Sequence, residues 1–155
     1  MSFLNILQHP DLNLRRVAKP VGSITSKTKD VVRNMFDTMY KNGGIGLAAT
    51  QVNVHRRIVV INVSHDINDE LVLINPVIIG SYGKICMKER CLSITNKSGF
   101  VMRSKFVKIT TMDIFGKKFT FQAKDLLSIC IQHEIDHLNG ILFIDYLKNK
   151  NCGNS

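Results

Sequence analysis

His133-Glu134-Ile135-Asp136-His137 is the stretch from which the rest of the chain is read. Two imidazoles four residues apart on a helix point the same way, so both reach one metal ion. The carboxylate of Glu134, beside the first imidazole, sits where it takes a proton from water activated by that ion. The flanks support a helix. Asp125 is a good N-cap, Leu126-Leu127-Ser128-Ile129-Cys130-Ile131 is largely apolar, and Asn139-Gly140 supplies a stop. The bland alternative is a helix with two ordinary histidines and a chance glutamate between them. An apolar helix with clean caps favours the metal.

Outward from this helix the chain reads as one domain, with no repeat, low-complexity linker or abrupt composition shift. Asp11 to Arg16 is a candidate short helix after His9-Pro10. Thr25 or Ser26 caps a second helix reaching about Tyr40, with Val31, Val32, Met35, Phe36, Met39 and Tyr40 at helical spacing. Gly43-Gly44-Ile45-Gly46 breaks it. Strand-like sequence follows at Arg57 to Val63, at Leu71 to Ile79 (bulged or at an edge because of Pro76), at Phe106 to Asp113 and at Lys117 to Ala123. Phe115-Gly116 marks a hairpin turn, and Ile141 to Leu147 follows the metal-binding helix. Helices at both ends of a mostly antiparallel middle predict an α+β fold around a central metal-binding helix. The expected catalytic domain spans 1–148, with a short polar tail over 149–155.

At 155 residues the chain is long enough for one core that buries about two-thirds of its unfolded surface. No apolar run approaches the ~20 residues of a membrane span. The first residues, Met1-Ser2-Phe3-Leu4-Asn5-Ile6-Leu7, lack the pattern of an export signal, so the expected compartment is the cytoplasm. Four cysteines show no Cys-x-x-Cys pair and are expected as reduced thiols or metal ligands rather than a disulfide framework. The net charge of +9 is scattered over single and paired basic residues, with no long basic block and no interleaved aromatics. It reads as a solvated surface that aids encounter with acidic partners, not as a DNA-binding stripe.

A catalytic metal site usually has three protein ligands and one open position. Cys130 shares a face with His133 and His137, but three successive turns span about 10 Å of rise, too far for one ion. Cys130 is therefore expected as an apolar neighbour. Cys86 and Cys91 both qualify as the third ligand, and each is equally at home as a small buried residue.

Three segments in order resemble the peptide deformylase family: Gly44-Ile45-Gly46-Leu47-Ala48-Ala49-Thr50-Gln51, Glu89-Arg90-Cys91-Leu92-Ser93 and Gln132-His133-Glu134-Ile135-Asp136-His137. The likeness continues through Leu73-Ile74-Asn75-Pro76 and Gly140 to Leu147 and covers nearly the whole chain. The resemblance implies a deformylase-like fold and removal of the N-formyl group from formyl-Met nascent peptides, with release of formate. It picks Cys91 as third metal ligand with His133 and His137. It implies one divalent ion, ferrous iron in many members, with zinc, nickel or cobalt able to substitute. Glu134 is then the general base, and the Gln51 amide and the Leu92 backbone N–H stabilise the developing oxyanion. Gly44, Ile45, Gly46, Ile129 and Cys130 are the expected substrate-binding residues, and Arg103 the expected partner of Asp136. The chain is expected as a monomer with at most transient ribosome contact.

The sequence departs from the family pattern at Arg90, where glycine is usual, and at Thr95, where proline is common. Arginine costs about 1 kcal/mol if Arg90 needs positive φ. Otherwise it either narrows the peptide groove or swings out to bind a substrate carbonyl or acidic residue, and so joins the substrate-binding set. Two alternatives follow. One is a metal-binding deformylase paralogue with weak or altered activity. The other is a basic RNA- or ribosome-associated binding protein that retains the site as a relic.

Overall fold

The computed structural model describes residues 2–147 and Cys152; the tail expected over 149–155 otherwise lies outside the described residues. Two long helices sandwich an antiparallel sheet, which is the α+β architecture expected from the sequence. Helix α1 (Ser26–Lys41) starts at Thr25, whose side chain caps Thr28 N–H, and packs Val32, Met35, Phe36 and Met39 inward. After it come β1 (Gly46–Ala48), β2 (Ile58–Ile61), β3 (Leu71–Tyr82), β4 (Ile85–Cys91), β5 (Ile94–Arg103), β6 (Phe106–Met112) and β7 (Lys118–Lys124). Helix α2 (Asp125–Leu138) carries the paired histidines, and α3 (Ile144–Leu147) follows it.

Five strands form one sheet in the order β1-β2-β3-β6-β7, and β4 and β5 form a separate two-stranded sheet. Strand β2 explains how the layers join. Its Ile58-Val59-Val60-Ile61 run has no polar face, because Ile58 and Val60 meet α1 while Val59 and Ile61 meet α2. Each such fully buried side chain stabilises the fold by about 1.5–3 kcal/mol. Beyond Ile74 the register of β3 against β6 shifts across Pro76, so the proline sits in a bulge, as its missing N–H requires.

The β4–β5 hairpin was not expected from the sequence, nor was the short β1. It is anchored by a third cluster, in which Cys91, Ile94 and Val101 pack on Leu14, Leu142 and Phe143. Those last two lie just beyond the end of α2, so the hairpin that carries Cys91 is docked against the helix that carries the histidines.

Two local expectations need correction. Helix α2 is not capped by Asp125. That residue opens the helix in left-handed backbone at φ 55, and no side chain caps the turn. Its N–H is committed to Lys105 O, so strand β7 turns into the helix within one residue. Cys86 and Cys152, expected as thiols or ligands, form a disulfide. Cys152 is joined to the start of β4, a pairing across 66 residues that leaves no local spacing signature.

Candidate active site

The pleat of β4 turns Cys91 inward. Along β4, Glu89 and Cys91 are buried while Lys88 and Arg90 are exposed. One turn of α2 separates His133 from His137, and both face the hairpin. The donor atoms of Cys91, His133 and His137 all lie within 4.8 Å of one another, and all three residues are buried. Cys91 Sγ is 3.3 Å from His137 Nε2. Cys86, the other candidate third ligand, is taken up in the disulfide, and Cys130 is no member of the cluster. Burial, with Glu134 close by, pushes the Cys130 thiol well up, so it stays neutral.

His133 is oriented by Glu89, a residue for which the sequence alone predicts no role. The Nδ1 atom of His133 is 2.9 Å from Glu89 Oε1, leaving Nε2 for the cluster. The same carboxylate accepts bonds from Nε and Nη2 of Arg103, and Arg103 Nη1 donates to Asp136 Oδ2 at 2.9 Å. Tyr146 Oη donates to that same Asp136 oxygen. A buried chain of charges therefore ties β4, β5 and α2 together. Burial disfavours the Glu89 carboxylate, but His133 and Arg103 more than compensate and hold it below the usual range. The sequence did not mark this role, because β4 itself was not legible there and a bulge separates Glu89 from Cys91.

Acidic groups crowd His133. Burial opposes charge on His133, yet Glu134, Cys91 and Glu89 outweigh it and lift that imidazole up to about 10. Burial and the charge of His133 drive His137 well below its ordinary value, so it stays a neutral donor. A cysteine sulfur, two imidazoles and adjacent carboxylates form a donor set suited to one divalent cation.

Glu134 Oε1 is buried with no hydrogen-bond partner among the described residues. Burial pushes this carboxyl up to about 7, partly offset by His133 and Arg103. Space for it comes from Gly46, where a Cβ would stand 2.7 Å from Glu134 Oε2 and 2.7 Å from Cys130 Sγ. Gln51 is 1% exposed. Its Oε1 accepts from Ala48 N–H, and its Nε2 points to Ser93 Oγ at 3.1 Å and Cys91 Sγ at 3.6 Å. Leu92 packs across Gly44, and its carbonyl accepts from Gln8 Nε2. Gln8 was not singled out from the sequence; nothing in its local pattern marks it.

These residues open into a cleft of about 610 Å³. Gly44, Ile45, Gly46, Gln51, Arg90, Cys91, Leu92, Ile129, Cys130, His133 and Glu134 all line it, whereas His137 lies behind them. Arg90 is not at positive φ, so the backbone cost considered from the sequence does not arise. It occupies a bulge, where the register shifts between Glu89 and Cys91, and its side chain stands outward at the rim.

The family model for polypeptide deformylase matches residues 3–152. The chain belongs to the peptide deformylase family. It is therefore an enzyme, a hydrolase of the N-terminal processing that accompanies protein biosynthesis. It is 52% identical over 148 residues to the peptide deformylase of Wigglesworthia glossinidia brevipalpis, covering 96% of this chain and 97% of that one. A peptide deformylase from Legionella pneumophila superposes with a TM-score of 0.92 at 41% identity, over 94% of this chain and 86% of that one. A class I type b peptide deformylase from Acinetobacter baumannii with Met-Ala-Ser bound superposes at 0.89 with 26% identity, over 94% and 98% of the two chains. As in any deformylase, a metal ion belongs to the reaction, and the Cys91-His133-His137 cluster is where this chain can hold one. Among the described residues no helix is long and apolar enough to cross a membrane.

Proposed function

We propose that the chain removes the N-formyl group from formylmethionine at the start of nascent polypeptides, with Cys91, His133 and His137 holding one divalent ion. The carrying observation is the convergence of three buried ligand atoms within 4.8 Å beside the unpartnered carboxylate of Glu134. Ferrous iron is the preferred ion of this reading, and zinc, nickel and cobalt fit the same mixed donor set. The ion, when bound, supplies Lewis acidity that lowers the pKa of a water toward neutrality.

The remaining work falls to side chains. Ile45, Ile129 and Cys130 wall the pocket for the methionine side chain, and Gly44 and Gly46 let the peptide backbone lie close along β1. Glu134 Oε1 takes the proton of the attacking water, whose oxygen adds to the formyl carbon. Gln51 Nε2 and the Leu92 backbone N–H donate to the carbonyl oxygen as it gains negative charge. Glu134 then delivers its proton to the peptide nitrogen as the C–N bond breaks, and formate leaves with a free amino terminus behind. Asp136 and Arg103 hold α2 against the hairpin so that these atoms stay in register.

Residues 1–148 act as a single catalytic domain, as a monomer in the cytoplasm. Ribosome contact is transient and steered by the net charge of +9. The test is formate release from formyl-Met-Ala-Ser by protein loaded anaerobically with ferrous iron. Turnover that vanishes in Glu134→Ala at unchanged metal content supports the reading. No formate from wild-type protein carrying one ion per chain would sink it.

A further inference from the structure

The exposed charges lining the cleft all come from the β4–β5 hairpin and are all positive. Strand β4 turns Lys88 and Arg90 outward, and Lys97 of β5 joins them as an exposed lining residue. The lining residues that precede and begin β1, Asn42 to Gly46, carry no charge. The two carboxylates lining the cleft, Glu89 and Glu134, are 6% and 4% exposed and belong to the buried site. None of the three cations forms an ion pair among the described residues. Three unpaired cations along β4 and β5 at the cleft raise the local concentration of negative groups and repel positive ones.

Arg90 is also placed by covalent adjacency to Cys91. One strand residue advances the chain by about 3.3 Å, so the Arg90 backbone lies within one step of the metal-ligand cluster. A peptide whose formyl group lies at that cluster leaves past this hairpin in extended form. Its second and third residues then come within reach of the long Arg90 side chain.

On the deformylase reading, we infer that Arg90, with Lys88 and Lys97, is a specificity-determining rim that favours nascent chains bearing Asp or Glu at the second or third residue and disfavours Lys or Arg there. The residues make no chemical step. They act on encounter and on KM, and the effect is screened by salt.

The experiment compares kcat/KM for formyl-Met-Asp-Ala and formyl-Met-Ala-Asp with their Lys counterparts and with neutral formyl-Met-Ala-Ser, using iron-loaded wild-type protein. The acidic peptides are expected to be favoured over the Lys peptides about three- to tenfold at low ionic strength, mostly through KM. In 1 M salt, where screening acts over about 3 Å, the ratio falls toward one. Arg90→Lys keeps the preference and Arg90→Glu, which cuts the rim from three positive charges to a net of one, brings the ratio close to one, a charge dependence that a merely structural role would not produce. Lys88→Glu, a second exposed site, weakens it independently. Equal turnover of acidic and basic peptides, or a ratio unmoved by Arg90→Glu, overturns the inference while leaving deformylation intact. No turnover even of the neutral peptide overturns the deformylase reading and this inference with it.

Discussion

Replacing Glu89 by Gln changes almost no volume, yet it strikes the charge chain beneath the site. The carboxylate accepts from Arg103 Nε, from Arg103 Nη2 at 2.9 Å and pairs with His133 Nδ1 at 2.9 Å. A glutamine offers one acceptor oxygen and turns an NH2 group toward a cation or an imidazole N–H. Breaking a buried pair costs about 3–5 kcal/mol. Asp136 still neutralises part of the Arg103 charge through its 2.9 Å bond, so the lower figure, about 3 kcal/mol, applies. For a domain of this size that corresponds to a fall in Tm of about 6–12 °C. Because Glu89 also fixes the His133 ring, metal affinity drops by about 10- to 100-fold. Thermal unfolding in excess chelator isolates the first effect, and a competition titration with a metal indicator isolates the second. A Tm within about 2 °C of wild type would refute the energetic argument. A large Tm loss with unchanged metal affinity would refute the claim that Glu89 orients His133.

Gly46→Ala places a methyl group where only 2.7 Å separates it from Glu134 Oε2, so kcat is expected to fall by at least tenfold with unchanged circular dichroism. Retained turnover would show that Glu134 shifts without consequence. Alkylation of protein unfolded without reductant labels only Cys91 and Cys130, and prior reduction exposes Cys86 and Cys152 as well; full labelling at the outset would contradict the disulfide. Burial, repulsion from Asp136 and the bond to Asp136 push Tyr146 up to about 12. A phenol with a raised folded pKa adds stability below its unfolded pKa and loses it as pH climbs to the folded one. Wild-type stability should therefore fall relative to Tyr146→Phe between about pH 10 and 12. A difference that stays constant over that range, measured by urea unfolding, would refute the assignment.

The elements easiest to read in the sequence were those whose pattern answers to one physical demand. The apolar spacing of Val32, Met35, Phe36 and Met39 can only be a helix face, and Ile58 to Ile61 only a strand buried on both sides. Strand β4 hid because Lys88, Glu89 and Arg90 are poor strand formers, and its inward Glu89 is stabilised by partners on other elements. The paired histidines and Glu134 were legible from spacing within a single helix. Cys91 was not, since nothing local distinguishes it from Cys86, and the family motif decided between them. The disulfide and the Gln8 contact to Leu92 join residues far apart in the chain and leave no local trace.

The most direct test of the account is a titration of metal-free protein with ferrous iron under anaerobic conditions, following formate from formyl-Met-Ala-Ser. Activity should rise linearly and saturate at one equivalent, while Cys91→Ala fails to reach saturation there and Glu134→Ala binds the full equivalent without producing formate. Formate released without metal, or turnover that survives in Glu134→Ala, would contradict it.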